Sequence, residues 1–136
     1  MTMSPEEITA FVDRLYATTG VGNWEAAAEM LTDDFVAHEA DGLPMAGKFR
    51  GKNGLKDLYG KVMGMVDVVA LERSALPVSE DCAIAVLTMR FADPELQPVE
   101  LCEMFRFRDG KCCEIKPYYF DPAPFLAACE AKKAAA

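Results

Sequence analysis

Two glutamates fall where strand alternation sets them among apolar side chains. In Pro98–Asp121 two alternating runs flank Asp109-Gly110. That pair tolerates the positive φ needed at both central positions of a two-residue type I′ turn, which predicts a β-hairpin. With a tight turn Arg108 faces Lys111, and the ladder continues through Phe107/Cys112, Phe105/Glu114, Glu103/Lys116 and Leu101/Tyr118. Leu101, Glu103, Phe105 and Phe107 then share a face with Glu114, Lys116, Tyr118 and Phe120. On that face the Glu103 carboxyl either pairs with Lys116 or takes up a proton, because an unpaired buried charge is too costly. The second acid is Glu39. In the strand predicted over Phe35–Ala40, Phe35, Ala37 and Glu39 share one side, while Val36 and His38 take the other. His38 is the only histidine, and it reaches the Glu39 side only through a twist or a bulge. Two carboxyls in one dry pocket push their pKa values apart, one serving as ionised base and the other as neutral donor. The plainer alternatives are an ordinary cross-strand ion pair for Glu103 and a solvated strand-end carboxylate for Glu39.

The elements that must position these acids follow from the chain in order. Ser4-Pro5-Glu6-Glu7 starts a helix, with Ser4 as N-cap, Pro5 in the first turn and Glu7 closing a capping box. Ile8, Phe11, Val12, Leu15, Tyr16 and Thr19 recur at helical spacing until Gly20-Val21-Gly22. Asn23 caps a shorter helix to about Leu31, ended by Thr32-Asp33-Asp34, with Trp24 as a packing anchor. After the Phe35–Ala40 strand, residues 41–51 read as a loop long enough to close over something. A third helix starts near Lys52, with Leu55, Leu58, Tyr59, Val62 and Met63 on one stripe. Strands follow over Val66–Leu76 and Cys82–Phe91, then the hairpin, then a short helix carrying Phe125 and Leu126. Residues 130–136 have no apolar face and are expected to be a disordered tail. Helices gathered on one side of an antiparallel sheet make a single α+β domain over residues 1–136.

Composition narrows the function. Fourteen basic against twenty-two acidic residues give −8, which disfavours nucleic acid and anionic membranes as partners. No apolar run approaches the roughly 18 residues of a membrane span, and Met1–Pro5 has no leader-like pattern, so a cytoplasmic protein is expected. Five cysteines without C-x-x-C spacing and one histidine indicate neither a disulfide framework nor a zinc site. No metal and no cofactor are expected.

The element order, with T-D-D-F-V-A-H-E at 32–39 and E-M-F-R-F-R-D-G-K at 103–111, resembles the nuclear transport factor 2-like superfamily, above all its SnoaL-like polyketide cyclase and ketosteroid isomerase branches. The resemblance spans Pro5 to about Leu126. It implies a cone in which a curved antiparallel (mixed) sheet wraps three N-terminal helices and leaves a pocket between them. The superfold serves isomerases, cyclases, dehydratases, epoxide hydrolases and adaptors alike. By the ketosteroid isomerase pattern, Glu39 stands at the general base and Glu103 at the second acid, which stays protonated and donates to the enolate oxygen. The helix tyrosine of that pattern aligns with Leu15, so Tyr16, about 100° further round the helix, is expected to turn its hydroxyl away. Tyr16, Trp24, Phe35, Tyr59, Met63, Leu101, Phe105, Lys116, Tyr118 and Phe120 are the implied pocket wall, and His38 is a third acid–base candidate. Proton abstraction beside a carbonyl of a hydrophobic small molecule is the activity expected, with a non-catalytic binding or dimerisation module as the alternative. A homodimer is expected through an outer sheet face carrying Cys102, Met104, Ile115 and Tyr119.

Overall fold

The computed structural model describes residues 2–136. Helix α1 (Pro5–Gly20) begins as its sequence requires: Glu7 N donates to Ser4 Oγ at 3.1 Å, and Ser4 N donates to Glu7 Oε1 at 2.8 Å. Its buried stripe is Ile8, Phe11, Val12, Leu15 and Thr19. Asn23 caps α2 (Trp24–Glu29) through Ala26 N. This helix is shorter than expected, because the chain is already extended as β1 (Leu31–Glu39) from Leu31 onward.

The segment expected to be a loop contains β2 (Gly47–Arg50), which runs antiparallel to β1 and pairs Glu39 with Gly47 and Val36 with Arg50. Within the same segment Leu43 and Met45 are buried. Helix α3 (Gly54–Met65) starts at a glycine for a steric reason: a Cβ at Gly54 would stand 2.7 Å from the Phe49 carbonyl oxygen. Strands β3 (Val68–Ala75), β4 (Val78–Ser79), β5 (Cys82–Phe91), β6 (Val99–Arg108) and β7 (Lys111–Tyr119) follow. The last helix, α4 (Ala123–Ala135), corrects the expected tail. Residues 130–135 are helical because alanine and lysine propagate a helix already anchored by buried Phe125, Ala128 and Cys129. Lys132 Nζ also donates to Met63 O and Asp67 Oδ1, both at 3.0 Å.

The sheet runs β2-β1-β7-β6-β5-β3, with β4 paired to β5 and with β1–β7 its parallel pair. It is curved, unclosed and packed on the helices, an α+β architecture with Phe35, Phe105, Phe125, Ile8 and Val12 in its interior. No helix among the described residues is long and apolar enough to cross a membrane.

The Asp109-Gly110 turn forms as predicted, with φ of 55° and 76°, and Arg108 faces Lys111. One step later the register departs from expectation. Phe107 pairs with Cys112, but Arg106 pairs with Glu114, so Cys113 is the extra residue of a β-bulge. A one-residue slip turns every later side chain to the other face. Ile115, Pro117 and Tyr119 therefore join Leu101, Glu103 and Phe105 inside, and Lys116, Tyr118 and Phe120 turn outward. Tyr118 is 53% and Phe120 84% exposed. Ile115 and Tyr119 leave the expected outer face for the same reason.

Candidate functional site

Glu39 ends β1 on the side of buried Phe35 and Ala37, and is itself only 8% exposed. Ala37 registers with Ile115 of β7, and two residues on, Glu39 falls beside Pro117. Pro117 in turn stands opposite Glu103 of β6. Glu39, Pro117 and Glu103 thus form a row across three adjacent strands, the two acids about 10 Å apart along the sheet. Pro117 has no N–H to extend the ladder, and the β1–β7 pairing stops two residues before it. Here a cavity of about 710 Å³ opens, walled by Glu39, Leu43, Pro117, Tyr119 and Pro122, with His38, Lys48 and Lys116 also bordering it.

Glu39 Oε1 is buried and has no hydrogen-bond partner. Burial, and behind it the nearby Glu103 charge, push the Glu39 carboxyl up to about 8. Burial raises Glu103 as well, opposed by the hydroxyl of Tyr16. That hydroxyl donates to Glu103 Oε1 at 2.5 Å, which corrects the expectation that Tyr16 turns away. Leu15, Tyr16 and Thr19 all line one small hole beside Glu103, because the buried face of α1 is wide enough for two consecutive residues to flank it. The Tyr16 ring meets Phe105 edge-on at 5.7 Å.

The hole beside Glu103 measures about 20 Å³, room for one water. Tyr16, Thr19 and Tyr59 connect its wall to a second, side cavity of about 390 Å³, where Arg73, Leu71 and Met63 stand. Met63 is 58% exposed there, a rim residue rather than part of the buried stripe. Tyr59 is pushed up to about 12 by burial and the Glu103 charge, while Thr19 opposes the shift.

The remaining expected site residues distribute as follows. Phe35, Leu101 and Phe105 are core. Trp24 packs edge-on against Tyr59 at 5.1 Å and stays outside these cavities. His38 remains on the face opposite Glu39, its Nε2 3.0 Å from Glu114 Oε2, while Arg106 holds the other oxygen of Glu114 at 3.4 Å. Lys116 stands opposite Met104, not Glu103, with Nζ 5.7 Å from the Tyr118 ring centroid. Tyr118 borders the Glu39 cavity from outside, and Phe120 lies on the open outer face.

Sequence reasoning missed Tyr119. Burial and then the charges of Glu39 and Glu103 raise its phenol, so it belongs with the two acids. A signal was present: in Glu114-Ile115-Lys116-Pro117-Tyr118-Tyr119 the charges alternate with Ile115 and Pro117, and apolar alternation sets register more firmly than turn geometry when one face is buried. Among the described residues no group of three or more His, Cys, Asp or Glu side chains is gathered as a metal site would need.

The family model of the SnoaL-like domain matches residues 12–115, which include Tyr16, Glu39 and Glu103. The chain belongs to the SnoaL-like family. Solved structures similar to this SnoaL-like domain share its nuclear transport factor 2-like fold. A nuclear transport factor 2-like protein from Burkholderia xenovorans LB400 superposes with a TM-score of 0.79 at 22% identity, covering 93% of this chain and 98% of that one. TerC, co-crystallised with polyporic acid, gives 0.79 at 15% identity over 91% and 98%. A Sinorhizobium meliloti protein with a proposed polyketide cyclase role gives 0.66 at 16% identity over 80% and 94%. No curated protein is similar enough to count as a match.

Proposed function

We propose that this SnoaL-like domain is an acid–base enzyme that moves a proton beside the carbonyl of a hydrophobic small molecule, in an isomerisation or cyclisation. The supporting observation is the buried Glu39 carboxyl, its Oε1 without a partner, on the wall of a cavity of about 710 Å³. A carboxyl raised to about 8 exchanges protons close to neutral pH, where a general base is most effective. The Glu39 carboxylate removes a proton from the carbon α to the carbonyl. The C–H electron pair becomes the C=C bond of an enolate, and the charge moves to oxygen. In an isomerisation the Glu39 carboxyl then returns its proton to another carbon. In a cyclisation the enolate carbon attacks a second carbonyl of the same molecule, whose oxygen takes the proton.

Tyr119 in the same cavity is the donor for the enolate oxygen, its phenol raised by burial, while Glu103, also raised by burial and held by Tyr16, stands behind it in the neighbouring hole. His38, tied to Glu114, assists by orienting the end of β1. The scheme uses no metal or organic cofactor. The likeness to TerC, crystallised with a small molecule, supports a ligand in this fold. A binding module without catalysis is the second reading, favoured by the hole beside Glu103, which has room for a water but not for a substrate ring.

Proton exchange decides between them. In D₂O with 1-tetralone as probe, the wild-type protein is expected to accelerate α-proton exchange, and Glu39→Gln to lower that rate about 10²–10⁴-fold. Equal rates in both proteins would sink the assignment of Glu39. A tightly retained small molecule after native purification, without exchange, would establish the binding module.

A further inference from the structure

We propose that the Glu39 cavity takes a carbonyl compound that is also a monoanion, a ring-bearing keto acid whose carboxylate is held by Lys48 and Lys116. This rests on the reading of Glu39 as the base and adds the charge of its substrate. Lys48 lies on β2 directly opposite His38, and Lys116 lies on β7, so the two residues border the cavity from the strands on either side of β1, on the His38 side of the sheet. Neither forms an ion pair among the described residues, and of the basic residues without one, which include Arg14, Arg50, Lys56, Lys61 and Lys111, these two border the Glu39 cavity. In a chain with twenty-two acidic residues, two unpaired lysines on one rim form a local positive field within a negative molecule. Such a field selects an anion at close range that the whole protein repels at long range.

The other charged groups at the rim set the size of the ligand charge. Asp41 is exposed there. Glu114 is occupied by His38 and Arg106. Glu39 is buried in the wall rather than exposed at the rim. Two ammonium groups against one carboxylate leave a single positive charge, matched by a carboxylate rather than by a phosphate dianion. The walls supply the preference for a ring: Leu43, Pro117 and Pro122 are apolar, and the half-exposed Tyr118 ring lies under Lys116.

The probes are 6-carboxy-1-tetralone and its methyl ester, which share one ketone and differ by one charge. Affinity is measured by calorimetry for the wild type, a Lys48→Met/Lys116→Met double variant and Glu39→Gln. The wild type is expected to bind the acid at least about tenfold more tightly than the ester, and raising the salt concentration is expected to weaken the acid alone. The double variant is expected to lose this preference while its ester affinity stays within about twofold. Equal wild-type affinity for acid and ester, or an unchanged preference in the double variant, overturns the proposal. The salt series needs no variant, so a poorly folded double mutant leaves the question decidable. Glu39→Gln separates the two readings: a variant that keeps both acid preference and α-proton exchange removes Glu39 as the base and leaves the anion site standing.

Discussion

Glu103 and Pro117 face each other across the β6–β7 hairpin, in the place that an unbroken ladder from the Asp109-Gly110 turn would give to Lys116. With Lys116 on the other face, no cation stands across the ladder to hold Glu103 ionised. Burial raises its carboxyl, and only the Tyr16 hydroxyl opposes the shift. Lys116→Met is therefore expected to leave the Glu103 titration where it is in the wild type, above the usual carboxylate range. Carboxyl-carbon NMR of the two proteins checks it. An upward movement of Glu103 in the variant would mean that the lysine faces it after all.

Tyr16→Phe acts on Glu103 from the other side. The phenol donates to Glu103 Oε1 and favours its charged form, so its removal is expected to push Glu103 higher still. It also leaves a part-buried acceptor with one partner fewer, at a cost of about 1 kcal/mol in stability. Urea unfolding below neutral pH reads that cost. A variant as stable as wild type, with Glu103 unmoved, would show that this hydrogen bond contributes nothing.

The features legible in the sequence depend on neighbours along the chain. The Ser4 and Glu7 capping box, the type I′ turn and the inward side of Glu39 follow from local spacing alone. What was hidden depends on one residue of register or on partners distant in sequence. Cys113 as a bulge exchanges Lys116, Tyr118 and Phe120 for Ile115, Pro117 and Tyr119, a swap invisible from the turn but written in the apolar alternation beyond it. A rotation of about 100° along α1 points the Tyr16 hydroxyl away by spacing alone, although a tyrosine is long enough to bring its hydroxyl back to a strand that crosses its helix. The tail from Glu130 carries no local signal because the partner of Lys132, Asp67, lies 65 residues earlier, just after α3.

The bulge also redefines the outer face of the sheet. Cα partners align Ile84, Met104 and Lys116 in one row and Val86, Cys102 and Tyr118 in the next. Phe120 continues the patch, its N–H bonded to Glu100 O. Among the described residues nothing covers Tyr118 or Phe120, and an apolar patch on a sheet face is commonly closed by a second copy. A homodimer through the Ile84, Val86 and Phe120 part of this face is expected, leaving the Lys116 and Tyr118 rim of the Glu39 cavity open. Light scattering at micromolar concentration is expected to give twice the chain mass for the wild type and a lower mass for Phe120→Asp. A monomeric wild type would refute it.

Glu39 links the stability of the fold to pH in a direction opposite to that of most carboxylates. Its ordinary value is 4.5, and in the folded chain burial and the Glu103 charge raise it to about 8. Between those two values the folded state holds a proton that the unfolded chain has lost. Stability must therefore fall as pH rises through this window, by about 1.4 kcal/mol per pH unit at the steepest. Below the lower value both states are protonated and no penalty remains. Above the upper one both are ionised, and the whole loss has been taken. Glu103 is raised as well and acts with the same sign, so the wild-type slope includes both acids. Glu39→Gln has no proton to lose at this position and is expected to keep only the Glu103 share. Urea midpoints at a pH of about 5 and again of about 8 give the comparison, with the wild type losing more than Glu39→Gln. Equal losses in the two proteins would mean that Glu39 titrates as a solvated strand-end carboxylate, and its role as the base would fall with that result.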